Sequence, residues 1–133
     1  MYKYSFEKLE VWQDSRKIIS ELYIITKSFP EEEKFGLVSQ IRRAAISIAS
    51  NLAEGTSRKS LKDQAHFSNL AYSSLIEVLS HLYISNDLGF IKEESLNELK
   101  EKLQELSNKI NSLRNYQLNK STHKQINKPV YLW

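Results

Sequence analysis

Residues 35–55 are the segment that most constrains how this chain can fold. On a helix with about 100° between successive residues, its apolar side chains cover an arc wider than the usual ~100° stripe. An arc of this width predicts a helix that packs against more than one neighbour. Polar side chains form a continuous stripe on the opposite side: Gln40, Arg43, Ser47, Ser50, Asn51 and Glu54. Because this stripe mixes both signs of charge with amides and hydroxyls, it predicts a pairing or recognition surface rather than a catalytic centre.

Three further segments have the apolar spacing of amphipathic helices. They cover about residues 8–28, 61–86 and 93–115, and the helix of the opening segment is predicted over 32–53. Gly55 is predicted to be the left-handed C-cap of that helix, and Ser60 to be the N-cap of the next. The cleanest register belongs to the last segment, where apolar residues alternate at spacings of three and four: Leu96, Leu99, Leu103, Leu106, Ile110 and Leu113.

These four segments predict an all-α fold. The chain has only three glycines and two prolines in 133 residues, which favours long helices over a sheet with many tight turns. The stripe of the last helix is also compatible with a coiled coil to another chain. With three other amphipathic helices and short loops beside it, an antiparallel up-down four-helix bundle is the simpler account.

The composition changes after the fourth helix, so we divide the chain into a bundle, residues 1–115, and a polar, basic C-terminal tail, residues 116–133 with an aromatic end. Tyr131 and Trp133 are expected to anchor this tail in an apolar groove of its own bundle or of a neighbour.

From residue 114 onward the chain has basic residues and no acidic ones. Residues 1–113 therefore carry one net negative charge, which weakens a simple nucleic-acid interpretation of the body.

Several functional classes are disfavoured by what the sequence lacks. Without cysteine there are no disulfides, thiolate zinc sites or cysteine nucleophiles. There is no glycine-rich phosphate loop, no His-Glu-x-x-His motif and no nucleophile–base set, so we expect no enzyme activity and no cofactor. Asp63, His66, Glu77 and His81 have ligand-like spacing but lie on one helix, and no metal site is predicted. With no membrane-length apolar run and a polar N-terminus, a cytoplasmic location is expected.

A set of short motifs identifies a family resemblance. The motifs are Leu9-Glu10-Val11-Trp12-Gln13, Phe29-Pro30, Phe35-Gly36-Leu37, Gln40-Ile41-Arg42-Arg43-Ala44, Ser47-Ile48, Asn51-Leu52-Ala53-Glu54-Gly55 and Ser74-Leu75-x-Glu77. Together they resemble the four-helix bundle proteins of 23S ribosomal RNA intervening sequences, over about residues 6–113. This resemblance implies a ring-like homo-oligomer, a pentamer. A related branch is the accessory variability determinant of diversity-generating retroelements, whose basic pentameric barrel binds nucleic acid and a reverse transcriptase. This chain lacks the strongly basic body of that branch.

The polar residues of the second and third helices are candidates for a hydrogen-bonded network or a subunit interface. They are Gln40, Arg42, Arg43, Ser47, Asn51, Glu54 and Glu77. The alternative, a strip that meets phosphates, is less favoured because Glu54 would repel a phosphate. Arg42 projects from inside the apolar arc, so either its stem packs while the guanidinium reaches water, or it pairs with a carboxylate across an interface.

Two basic groups are the candidates for nucleic-acid contact. One is the loop between the second and third helices, with Arg58, Lys59 and Lys62, and the other is the tail, with Lys120, Lys124 and Lys128. The leading hypothesis is a non-enzymatic oligomeric protein that associates with RNA or a ribonucleoprotein through this basic rim and tail. The rival hypothesis is a protein–protein scaffold, such as an accessory subunit of a reverse transcriptase. No membrane partner is expected.

Overall fold

The computed structural model describes the backbone of residues 1–122 and the side chains of residues 1–120. Its regular elements within this range are all helical. Four α-helices follow one another along the chain: α1 (Glu10–Thr26), α2 (Leu37–Thr56), α3 (Leu61–Asp87) and α4 (Glu93–Thr122). Short 3-10 helices precede two of them: Ser5–Lys8 before α1 and Glu31–Glu33 before α2. The predicted all-α fold with four long helices is confirmed.

Side-chain pairs between α1 and α4 give the relative direction of these two helices. Lys109 of α4 contacts Asp14 near the start of α1, whereas Lys102 contacts Glu21 nearer its end. From Asp14 to Glu21 the residue number increases along α1, whereas the number of the α4 partner decreases from Lys109 to Lys102. The two helices are therefore antiparallel. The same inverse order holds between α2 and α3 and between α3 and α4. The start of α1, the end of α2, the start of α3 and the end of α4 therefore share one end of the bundle.

Apolar side chains from all four helices form one core. Those that are almost fully buried include Val11, Leu22, Ile41, Ile48, Leu75, Leu82, Leu103 and Ile110. The apolar residues of α4 that are spaced alternately by three and four face this core, as predicted. Within the described residues, no helix has both the length and the apolar composition that a membrane span requires.

Local signals set two of the helix boundaries, and the first of them was predicted. The Ser60 hydroxyl accepts a hydrogen bond of 3.1 Å from the backbone N–H of Asp63, which caps the start of α3. After α3 the chain turns through Gly89, whose φ of +80° is in the left-handed region that favours glycine.

The start of α2 differs from the prediction. The acidic run forms the 3-10 helix Glu31–Glu33 instead of the first turn of α2, which begins at Leu37. The Glu33 carboxylate still serves this helix, because it accepts a hydrogen bond of 3.3 Å from the backbone N–H of Leu37. An acidic acceptor at this position also suits the positive end of the helix dipole.

The predicted left-handed cap at Gly55 is wrong. Gly55 lies inside α2, is buried and has no positive φ. A Cβ atom at this position would lie 3.1 Å from Cβ of Phe67 on α3, closer than ordinary van der Waals contact. Glycine is therefore present here because α2 and α3 approach each other closely.

The predicted end of the fourth helix at residue 115 is also wrong, since α4 continues to Thr122. The boundary between bundle and tail at 115/116 consequently lies inside a helix. Gln117 is buried, and Tyr116 packs against the core. Gln117 stands four residues after Leu113, so it continues the core register with a polar side chain. Sequence reasoning missed this extension because the composition turns polar before the helix ends.

Candidate nucleic-acid interface and polar groove

One end of the bundle is rich in exposed basic side chains. This basic end is formed by the N-terminal segment, the loop between α2 and α3 and the last turns of α4. Its basic residues are Lys3, Lys8, Arg58, Lys59, Lys62 and Lys120, all exposed. Fewer acidic residues lie among them: Glu7, Glu54 and Asp63. The end therefore carries an excess of positive charge.

At the opposite end of the bundle, acidic residues outnumber basic ones. Its acidic residues are Glu31, Glu32, Glu33, Asp87, Glu93 and Glu94, and the basic ones beside them are Lys27, Lys34 and Lys92. Charge within residues 1–120 is thus separated along the long axis of the bundle. The near-neutral total of the body, taken from the sequence, hides this separation because it sums over both ends.

Arg58 is held in place at the basic end. Its guanidinium lies 4.5 Å from the ring centroid of Phe67, a cation–π contact with the first turns of α3. Its backbone carbonyl accepts a hydrogen bond of 2.9 Å from the Gln64 side chain. Lys59 and Lys62 are exposed and form no ion pair within residues 1–120. The loop therefore presents cations that are available to an external anion.

Lys120 lies on the last turns of α4 and is held by one aromatic residue. Its Nζ donates a hydrogen bond of 2.8 Å to the Tyr116 hydroxyl and lies 5.2 Å from the centroid of the same ring. The other proposed tail residues, Lys124, Lys128, Tyr131 and Trp133, lie outside the described residues.

The groove between α2 and α3 contains most of the predicted polar network. Ser47 and Ser74 share a hydrogen bond of 2.9 Å between their hydroxyls. One turn later on α2, Asn51 donates to the carbonyl of Ser47 at 2.9 Å and to its hydroxyl at 3.0 Å. The Ser47–Ser74 bond joins the two helices, and Asn51 contacts the Ser47 hydroxyl from within α2.

A charged cluster continues the same groove. Arg43 pairs with the Glu77 carboxylate and donates a second hydrogen bond of 3.1 Å to Oε1 of Gln40. Nε2 of His81 lies 3.4 Å from the same Glu77 carboxylate. Nδ1 of His81 is buried and has no hydrogen-bond partner within the described side chains. The predicted network therefore brings together Gln40, Arg43, Ser47, Asn51 and Glu77.

Arg42 has a different role. Its Nε donates a hydrogen bond of 3.0 Å to the Thr26 hydroxyl, and one terminal nitrogen donates at 3.2 Å to the carbonyl of Tyr23. Its guanidinium also lies 4.4 Å from the centroid of the Tyr23 ring. A cation here suits the negative C-terminal end of α1. Arg42 thus ties α2 to the end of α1, and within residues 1–120 it pairs with no carboxylate.

Glu54 does not join the network of the groove. It is exposed, and its carboxylate makes no hydrogen bond or ion pair within the part of the chain that the structure describes. Instead it lines a groove of about 330 Å³ between the end of α2 and the N-terminal segment. Asp63 and His66 are exposed on α3, and no group of three or more potential metal ligands forms among residues 1–120.

Sequence reasoning missed the ion pairs between α1 and α4. Lys109 Nζ lies 2.7 Å from the Asp14 carboxylate and 3.0 Å from that of Glu10. The hydrogen bond to Asp14, followed by that to Glu10, raises the pKa of Lys109 against the opposing effect of partial burial. Lys102, at 2.6 Å from Glu21, likewise has a raised pKa, mainly through that hydrogen bond. Lys102 and Lys109 are seven residues apart and therefore lie on one face of α4. This spacing is the sequence signal that could have indicated the ion pairs.

A second missed feature is an exposed aromatic arm at the N-terminus. We define this aromatic arm as Tyr2, Tyr4 and Phe6. The ring centroids of Tyr2 and Tyr4 are 5.0 Å apart, and those of Tyr4 and Phe6 are 6.2 Å apart. Phe6 contacts Trp12 edge-on at 4.8 Å, and Arg16 lies 4.8 Å from the Trp12 centroid. The alternation of aromatic residues from Tyr2 to Phe6 is the sequence signal of this arm.

Comparisons with known proteins give one family and one fold. Residues 7–112 match a family model described as 23S rRNA-intervening sequence protein. A crystal structure of a protein of unknown function from the S23 ribosomal protein family of Bacteroides thetaiotaomicron aligns with a TM-score of 0.69 at 22% identity. This alignment covers 78% of the present chain and 97% of that chain, and at such identity it shows the fold alone. No curated protein matches the chain.

Proposed function

The chain belongs to the 23S rRNA-intervening sequence protein family, as its motifs predicted, and we propose that it is a non-enzymatic protein that binds RNA or a ribonucleoprotein through its basic end. The observation that carries the proposal is the separation of charge along the bundle. Phosphates bind through electrostatic contacts with lysine and arginine, and such contacts need a local excess of cations rather than a basic total.

The arrangement of Arg58, Lys59 and Lys62 supports this role. Lys59 and Lys62 have no competing carboxylate partner within residues 1–120, so phosphate binding at these lysines does not first require an ion pair to break. Arg58 is preorganised on the Phe67 ring, which reduces the side-chain entropy lost on binding. The charged groups of the α2–α3 groove differ, because Arg43 is already paired with Glu77.

We also propose that the protein is a homo-oligomer, in the form of the ring-like pentamer implied by the family resemblance. Several large apolar side chains on α3 are exposed, which supports contact with another surface: Leu70, Ile76, Tyr83 and Ile84. A cyclic ring would place the basic ends of all copies on one rim and multiply their attraction for one RNA.

The same apolar side chains support a second candidate function, a protein–protein scaffold. In that case the partner of α3 is another protein, such as a reverse transcriptase for which this chain is an accessory subunit. The two functions differ in their response to salt. Phosphate contacts weaken steeply as salt increases, whereas an apolar contact does not.

The test is binding of a fluorescent structured RNA over a salt series, measured by anisotropy. The wild-type chain is compared with a variant that carries Arg58→Ala, Lys59→Ala and Lys62→Ala. We expect the variant to bind more weakly and to lose about one unit of slope, in log affinity against log salt, per phosphate contact removed. The matched control replaces three lysines of the opposite end, Lys27, Lys34 and Lys92, with alanine, and it should bind like the wild type.

The contribution of the tail is measured with a chain that ends after Thr122. An end at residue 115 is unsuitable, because it removes the packed residues Tyr116 and Gln117. Loss of binding only in the shortened chain would assign recognition to the tail. Absence of RNA binding by the full chain at low salt would contradict the RNA function and leave the scaffold function.

A further inference from the structure

The aromatic arm lies at the basic end, and its two outer rings are exposed. Tyr2 is 77% exposed and Tyr4 is 61% exposed, although large aromatic side chains usually bury most of their surface. Neither ring is needed for the core, which begins with Leu9. Packing in the core therefore does not explain why two tyrosines are exposed at the basic end.

The arm is held in a defined position. The backbone N–H of Tyr4 donates a hydrogen bond of 2.7 Å to the Glu7 carboxylate. The Gln13 side chain donates at 2.7 Å to the carbonyl of Glu7, which ties the 3-10 helix Ser5–Lys8 to α1. Phe6 is fixed in turn by its edge-on contact with Trp12. Tyr2 and Tyr4 are therefore exposed on an ordered segment, with Tyr4 stacked against Phe6 and Tyr2 in edge-on contact with Tyr4.

A groove of about 330 Å³ separates this arm from the end of α2, where Ala53, Glu54 and Ser57 form the opposite wall. Three exposed cations are close to it along the chain: Lys3 lies between Tyr2 and Tyr4, Arg58 follows Ser57, and Lys8 lines an adjoining groove that shares Ser5 and Thr56 with this one. The groove thus combines exposed aromatic side chains with positive charge nearby along the chain.

We propose that this groove binds unpaired bases of a single-stranded RNA, which stack on Tyr2 and Tyr4 while Lys3, Lys8 and Arg58 contact the flanking phosphates. Aromatic faces combined with a basic track are the means by which proteins bind single strands, because every exposed base offers a π-face. A duplex keeps these faces inside its stack. The inference rests on the proposed RNA-binding function and adds the class of RNA to it.

In this site, we expect the Glu54 carboxylate to contact the edge of a base. A carboxylate repels a phosphate, but it accepts hydrogen bonds from the exocyclic amino group of a base such as cytosine. Because Glu54 has no partner within residues 1–120 and lines the groove, it suits a position against a base edge. We therefore expect the site to prefer cytosine, which offers an amino group, over uracil, which offers a carbonyl.

The experiment measures anisotropy of short fluorescein-labelled oligocytidylate, oligouridylate and an RNA duplex with the full chain. We expect the single strand with cytosine to bind more tightly than the duplex. The double variant Tyr2→Ala with Tyr4→Ala should lose at least about fivefold in affinity per tyrosine, with an unchanged salt slope. The variant with Tyr2→Phe and Tyr4→Phe keeps both rings and should bind like the wild type, which separates stacking from folding.

The matched control is Phe35→Ala. Phe35 is 88% exposed and has Lys34 5.6 Å from its ring centroid, but it lies at the opposite end of the bundle. This variant should keep wild-type affinity. Glu54→Gln should narrow the preference for oligocytidylate over oligouridylate, since an amide side chain can donate to the uracil carbonyl.

The outcomes distinguish this inference from the function on which it rests. Equal binding of duplex and single strand, with no loss in the tyrosine-to-alanine variant, would overturn the stacking site and leave salt-dependent RNA binding intact. No binding of any RNA would overturn both. A change in molecular mass by light scattering in the alanine variant, without a change in RNA affinity, would make the arm a protein contact and reject the proposal.

Discussion

The Ser68 hydroxyl donates a hydrogen bond of 2.7 Å to Oε1 of Gln117, and both residues are buried between α3 and α4. Gln117 stands four residues after Leu113 in the core register of α4, where an apolar side chain is otherwise the rule. A buried amide oxygen is stable in such a position only when it is hydrogen-bonded. This pair therefore explains how α4 continues through a polar sequence.

We predict that Ser68→Ala destabilises the protein by about 1–3 kcal/mol, because it leaves the Gln117 amide oxygen buried without its partner. The double variant Ser68→Ala with Gln117→Leu should recover most of that loss, since it removes both polar groups. Urea unfolding followed by circular dichroism measures the free energy of each variant. If the single and double variants were equally destabilised, the hydrogen bond would not be what secures α4 at this point.

The parts of the fold that depend on local sequence were predictable. Ser60 caps α3 through a bond to a residue only three positions away, and the register of Leu103 is set by spacing within one helix. Contacts between helices were not predictable in the same way. Gly55 is explained by the proximity of Phe67, and Arg42 by the end of α1, and neither neighbour is identified by local spacing.

In the candidate site too, features set by local sequence were predictable and contacts between distant segments were not. Sequence placed Arg43, Ser47 and Asn51 on one face of a helix, and the structure brings this face against α3. The net charge of the body gave no indication of a basic end, because that end is assembled from segments that are distant along the chain. The position of Tyr4 beside the end of α2 was hidden for the same reason.

We predict that Leu103→Ala destabilises the protein by about 2–5 kcal/mol. Leu103 is fully buried, so its truncation loses apolar contacts and leaves a cavity. The control is Leu88→Ala, because Leu88 is 55% exposed and its truncation should change the free energy of unfolding by no more than about 0.5 kcal/mol. A near-neutral effect of Leu103→Ala in thermal or urea unfolding would place the stripe of α4 outside the core.

We predict that two neighbouring arginines differ in their contribution to stability. Arg42→Met removes hydrogen bonds to Thr26 and Tyr23 from a half-buried guanidinium and should cost about 1.5–3 kcal/mol. Arg43→Met removes an ion pair in which both side chains are substantially exposed, and should cost about 0.2–1 kcal/mol. Denaturant unfolding of the two variants provides the comparison, and the reverse order would contradict the assignment of Arg42 as the link between α1 and α2.

The last prediction concerns the pH dependence of the ion pairs between α1 and α4. Hydrogen bonds to Asp14 and then Glu10 raise the pKa of Lys109 above its ordinary value of 10.5 in the folded protein. A raised pKa of a lysine means that the folded state holds this proton more tightly than the unfolded state. The resulting stabilisation is fully present below pH 10.5 and is lost as the pH rises through the higher, folded-state pKa.

The measurement is the free energy of unfolding of the wild type and of Lys109→Met between neutral and strongly alkaline pH. We expect the difference between them to be constant below about pH 10 and to shrink above it. Lys17→Met is the control, because Lys17 lines a groove between α1 and α4 together with Asp14 and Lys109 but forms no ion pair within residues 1–120, and its difference from the wild type should not change over that range. A difference for Lys109→Met that stayed constant through the alkaline range would show that its pairing with Asp14 and Glu10 does not stabilise the fold.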